Sequence, residues 1–220
     1  MIKSSSQAGR RRFSAMVLVT SLLCGCSMLL PVRTPPPTLF SFDSPQPVAQ
    51  TTPAAPVHLG APTLIVSIPR AATGFGSSQI VYIRRPHTFE YFRNSQWVDT
   101  PAGMISPLIV SALERSGHFS AVIQAPTSAT GQLRLDVEIV RLQHEFLTLP
   151  SQVRFTLRAH LIDTTTRRVV GWREFEAIVP SSSEDPYGGV LAANRAVAKV
   201  IAELAAFCGK TAQNFQKIEP

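Results

Sequence analysis

Two runs of alternating residues constrain this chain more than any other feature. Leu133, Leu135, Val137 and Ile139 alternate with Arg134, Asp136 and Glu138, and Val153, Phe155, Leu157, Ala159 and Leu161 alternate with Arg154, Thr156, Arg158 and His160. Successive side chains of a β-strand point to opposite faces, so this period of two predicts strands with one buried and one solvated face. Asp163-Thr164-Thr165-Thr166-Arg167 joins the second run to Arg168 through Val179, which predicts an antiparallel hairpin. Gly171 is read as a bulge in its second arm, because the alternation is poor around Trp172.

Shorter β-branched runs at Thr63 to Ile68 and Gln79 to Ile83, bounded by Pro and Gly, predict further strands, with Thr88 to Phe92 a weaker one. Met104, Ile105, Leu108, Ile109, Ala112 and Leu113 recur at helical spacing. Either Thr100 caps that helix with Pro101 in its first turn and Pro107 kinks it, the preferred reading because Met104 and Ile105 share the apolar face, or Ser106 caps a shorter helix from Pro107; Gly117 is placed to stop it. A second helix is expected from about Tyr187 to Cys208, its apolar face made by Val190, Val197, Ile201, Leu204 and Cys208, with Gly209 beyond its end. The sum is a single α+β domain over residues 63 to 210, a mainly antiparallel sheet with two principal helices packed on one face and a short tail, 211 to 220.

Nine of the 18 prolines fall between Ser27 and Pro62. Such a stretch favours extended, hydrated backbone and reads as a tether over residues 26 to 62, in which the apolar Leu39-Phe40-Ser41-Phe42 is placed to add an edge strand. Ahead of it, Lys3 and Arg10-Arg11-Arg12 precede an apolar segment from Phe13 to Leu23, the order of an export signal. The apolar part is shorter than the roughly 20 residues a permanent spanning helix needs. Leu23-Cys24-Gly25-Cys26 resembles the bacterial lipobox, so residues 1 to 25 are read as a lipoprotein signal peptide. That resemblance implies a diacylglycerol and palmitate-type lipid on Cys26, and Ser27 in the following, sorting position favours the outer membrane over the inner.

Cleavage before Cys26 changes the charge and the thiol count. Four of the 21 basic residues and none of the 14 acidic ones lie in the signal, so the net charge falls from +7 to +3, too little to argue for nucleic acid. Cys24 leaves, Cys26 carries lipid, and Cys208 alone keeps a thiol, so no internal disulfide is expected.

Chemistry is sparse. The five histidines are scattered without metal-site spacing and read as surface or strand residues. No G-x-S-x-G elbow is present, and Gly209-Lys210-Thr211 follows a helix where a phosphate loop would precede one. Glu184-Asp185 sits before the last helix, where acidic side chains complement the helix N-terminus. Cys208 lies on an apolar helix face and reads as inert. No catalytic residue, metal or cofactor beyond the lipid on Cys26 is expected.

The more telling pattern is Tyr82, then Phe89-Glu90-Tyr91-Phe92-Arg93, then Gln96-Trp97-Val98-Asp99-Thr100-Pro101, then the apolar helix ending at Gly117-His118-Phe119. This order resembles the ABC-type transport auxiliary lipoproteins, the family that includes the paraquat-inducible protein C type. The long stretch between Phe42 and Thr63, and Phe92 where a Tyr is expected, depart from that pattern. The resemblance implies an outer-membrane lipoprotein with its domain in the periplasm. It implies a non-enzymatic partner of an ABC permease and ATPase and of an MCE-domain protein in lipid transport, and leaves open a homo-oligomer. Tyr82, Tyr91, Phe92 and Trp97 are then either structural or partner-docking aromatics, with Trp97 placed in the core or half-buried. An envelope-assembly chaperone and a periplasmic hydrolase are the competing readings.

The lipobox makes a direct prediction. Cys26→Ala is expected to abolish incorporation of labelled fatty acid and to leave the chain uncleaved; normal acyl labelling of that variant would contradict the assignment.

Overall fold

Strand β7 (Leu133–Glu145) is thirteen residues long and organises the sheet around itself. The computed structural model describes residues 35–42 and 60–216. Along one edge β7 pairs antiparallel with β8 (Gln152–Asp163), which in turn pairs antiparallel with β9 (Val169–Pro180). Its other edge is shared in succession by three short parallel strands. β2 (Thr63–Val66) pairs with Leu133 to Leu135, β3 (Arg70–Ala71) with Glu138 and Ile139, and β4 (Gln79–Ile83) with His144 and Glu145. Beyond β4 lie β5 (Glu90–Trp97), antiparallel, and β1 (Thr38–Phe40), parallel to β5 at the sheet edge. β6 (Ala121–Gln124) completes the opposite end, parallel to β2.

The expected α+β architecture is present, and most paired residues are antiparallel, in the β7–β8–β9 meander and β4–β5. The parallel pairs, together with β3 and β6, were not foreseen from the alternation. The expected strand at residues 88 to 92 lies later, at Glu90–Trp97, and Leu39-Phe40 does form an edge strand. The hairpin bulge falls at Gly171, where pairing slips between Leu161 and Ile162.

Helix α1 (Pro101–Arg115) is capped by Thr100, whose hydroxyl accepts from the Gly103 N–H at 3.2 Å. Pro107 inside it removes the donor that would reach the Gly103 carbonyl. Both residues lie on the exposed side, where that carbonyl meets solvent. Ile105, Leu108, Ile109 and Leu113 make the buried stripe, and Gly117 follows the cap residue Ser116 with φ 68°, the left-handed stop a glycine allows.

Helix α2 (Pro186–Gln216) is two turns longer than its apolar spacing predicts. Gly209 is not beyond its end but buried within it, because an added Cβ there would overlap the His118 ring. The glycine serves close packing instead of termination, and the helix continues through the buried Ala212. α2 lies on the inner face of the meander, where Val197, Val200, Leu204 and Cys208 share a core with Phe155, Leu157 and Phe175. Fully buried side chains of this size contribute about 1.5–3 kcal/mol each by transfer from water. The outer face of the same strands stays open and is laced by charge, with Arg154 on Glu145 (2.8 Å) and Glu176 (3.0 Å), and Arg158 on Glu174 (2.9 Å).

Candidate functional site

The structure separates the four aromatics that the sequence singled out. Trp97, at the end of β5, is buried against Phe42 with ring centroids 4.8 Å apart, a core contact that fixes the chain just after β1. Tyr82 and Phe92 stack at 4.4 Å at the opposite end of the β4–β5 pair, and Phe146 meets both edge-on. The Tyr82 hydroxyl donates to Glu90 Oε2 at 3.0 Å; burial, then this bond, raises its pKa. Tyr91 occupies the other face of β5 and is 39% exposed, alone of the four in facing solvent. Cys26 and Ser27 lie outside the described residues.

Beside the Tyr82 cluster sits a buried polar centre that the scattered histidines did not reveal. A one-residue bulge between Ile139 and Arg141 shifts the alternation of β7, so that Leu142 and His144 keep facing inward. His144 Nε2 is hydrogen-bonded to the hydroxyls of Ser151 (2.8 Å), just ahead of β8, and Ser181 (3.0 Å), just after β9, side by side at the open end of the hairpin. Its Nδ1 is buried without a partner. Glu184 Oε1 accepts from the Ser151 N–H at 2.8 Å, which, with the Ser151 hydroxyl, holds its carboxyl below the usual range. Asp185 caps α2 by accepting from the Gly188 N–H at 2.7 Å, as its position before the helix suggested. Gly189 then lies so close to the His144 ring that a Cβ would overlap Nδ1. The Gly188-Gly189 pair at a helix start was the sequence signal for this approach.

Ser151 and His144 stand at the distance of a nucleophile and its base. They are not placed to act as one: Ser151 is fully buried, Nδ1 has no carboxylate to orient the ring, and the adjoining void is about 10 Å³, space for about one water molecule. Burial holds the ring neutral, pulling its pKa down to about 4 against the opposing charges of Glu184 and Asp185. Cys208 is equally sealed, its thiol pushed up to about 12 by burial. Among the described residues no group of His, Cys, Asp and Glu is arranged to hold a metal ion, and no helix is long and apolar enough to cross a membrane. A groove of about 430 Å³ opens between α1 and α2, lined mainly by apolar side chains.

The family model described as ABC-type transport auxiliary lipoprotein component matches residues 40–205. A crystal structure of a Xanthomonas campestris protein of the DUF330 family superposes with a TM-score of 0.69 at 24% identity, over 82% of this chain and 99% of that one. A second, uncharacterised protein superposes with a TM-score of 0.60 at 11% identity, over 78% and 98%. Both likenesses are of fold. No curated protein matches the sequence.

The neutral, buried His144 ties stability to pH. Its folded value of about 4 lies below the ordinary 6.5, so between them the unfolded chain binds the additional proton. The stability it contributes is complete above about pH 6.5 and is lost as pH falls toward 4, an effect on the order of 3 kcal/mol. Urea midpoints measured from pH 7.5 to 4.5 should fall more steeply for the wild type than for His144→Phe. Parallel slopes would show that the ring titrates normally.

Proposed function

The chain belongs to the ABC-type transport auxiliary lipoprotein component family, and from that premise we propose that it is a non-catalytic, outer-membrane-anchored partner of an ABC transporter that moves lipid. The observation that carries this reading is the extent of the family match, which runs from the last residue of the edge strand β1 through most of α2 and so takes in every other strand of the sheet. The sealed Ser151–His144 pair supports a role by binding instead of turnover.

In this proposal the lipid on Cys26 fixes the chain to the outer membrane, and Ser27 directs it there. The segment from Ser27 to Pro37, ahead of the edge strand β1, joins the anchor to the domain and lets it meet an MCE-domain protein served by an inner-membrane permease and ATPase. If extended in polyproline form, a segment of this length reaches on the order of 35 Å. Of the four aromatics, Tyr91 is the one assigned to partner docking, because it presents its ring to solvent beside the exposed Phe89. Tyr82, Phe92 and Trp97 hold β5 in place behind it.

Tagged full-length protein, extracted from native membranes, is expected to co-purify with the MCE protein and permease encoded beside it. The pair Phe89→Ser and Tyr91→Ser should weaken that association by about tenfold or more, the loss of roughly 1.4 kcal/mol or greater usual for an aromatic anchor. Full retention by the double variant would remove the docking face, and no association for the wild type would remove the transporter partnership.

A further inference from the structure

The groove between the helices is unlike the rest of the surface. Its floor and walls are Leu108 and Ala112 of α1 and Val197, Ala198, Ile201 and Ala202 of α2, and Phe42 also lines it. Ala198 and Ala202 are exposed, so small side chains leave a trough where larger ones would have closed the helix pair. Its volume of about 430 Å³ falls within the roughly 300–1,000 Å³ of small-molecule sites. The lining includes two guanidiniums, Arg115 and Arg195, and no carboxylate among the described residues. Arg115 donates to the hydroxyl of Ser111, and Arg195 to the Pro180 carbonyl at 2.9 Å. Neither has an ion-pair partner among the described residues, whereas the arginines of the outer sheet face, Arg134, Arg154 and Arg158, are each paired with a carboxylate.

An apolar trough with two unneutralised cations selects for a ligand with an apolar body and a negative end. A polar anion leaves the trough unfilled, and a neutral hydrocarbon leaves the charge unmatched. The exposed guanidiniums keep their spare N–H donors free for the strong, forked hydrogen bonds that phosphate oxygens accept. We propose that this groove binds one acyl chain of an anionic phospholipid, with its phosphate drawn to the guanidiniums at the groove's rim. This rests on the lipid-transport reading for its biological purpose, while the chemistry of the groove stands apart from it.

Purified full-length lipoprotein is reconstituted in phosphatidylcholine vesicles that carry either diazirine-labelled phosphatidylglycerol or phosphatidylcholine with the same labelled chain. After illumination, adducts are mapped by mass spectrometry. Phosphatidylglycerol adducts are expected on Ala198, Ile201 and Ala202, about tenfold above those from phosphatidylcholine, a factor equivalent to about 1.4 kcal/mol. Arg115→Gln with Arg195→Gln should erase that preference, and Ala202→Trp should remove the adducts by filling the trough. Equal yields from the two lipids, adducts confined to exposed side chains such as Leu149 or Trp172, or no adducts at all would each overturn the proposal. So would an adduct-free groove in which Ala202→Cys forms dimers linked through that position, since a second copy would then be the occupant. Lipid adducts without transporter co-purification would refute the partnership and keep the groove; the reverse result would refute the groove alone.

Discussion

Strand β7 has two hydrogen-bonding edges, and nearly every other element takes its place from one of them. β8 occupies one edge along the strand's full length, so β2, β3 and β4 must share the other, each meeting a different stretch. A ladder of this kind has one register, because a slip of a single residue would turn Leu133, Leu135, Val137 and Ile139 out to solvent. The bulge near Arg141 is the single departure, and it brings His144 inward at the point where β4 begins to pair. The meeting of Tyr82 with His144 is thus a consequence of where β7 is long and where it bends.

The helix layer is fixed by the same strand from above. α2 starts beside His144 through Gly188 and Gly189, runs across the inner face of β8 and β9, and passes His118 at Gly209 before continuing to Gln216. Two glycine contacts near its ends and an apolar stripe between them define its path. The groove against α1 lies along that path, where Ala112, Ala198 and Ala202 line it with small side chains. The sheet's outer face needs no cover, because Arg154, Arg158 and their carboxylates satisfy one another across three strands. For Glu145, burial works against its charge, but hydrogen bonds from Arg154, Gln143 and Gln152 outweigh it and hold the carboxyl below its usual range.

The elements with a local period were legible in the sequence: the alternation of β7 and β8, the α1 stripe after Thr100, the hairpin at Asp163 and the bulge at Gly171 all lie where their spacing put them. What was hidden depends on distant partners. β3 is two residues long and exists only because Glu138 and Ile139 offer it an edge. Gly209 has the sequence appearance of a helix stop and is instead a packing position, decided by His118 some ninety residues away in the chain. His144 looked like any strand histidine, because Ser151 and Ser181 come to it from different strands. The aromatics around Tyr82 were visible as a pattern, but only the sheet could divide them into Trp97 and its core, the Tyr82–Phe92 stack and the exposed Tyr91.

In the proposed binding role, the two contacts of Ser151 and Ser181 with His144 hold strand ends together. That role is open to a single test in a host strain lacking the chain's own gene. Ser151→Ala removes the hydroxyl nearer to His144 Nε2, while Ser181 remains on His144 to keep the local fold. Detergent resistance of the envelope should be restored by this variant as fully as by the wild type. Loss of resistance, with the variant folded and present at normal level, would contradict a binding role and point to catalysis at Ser151.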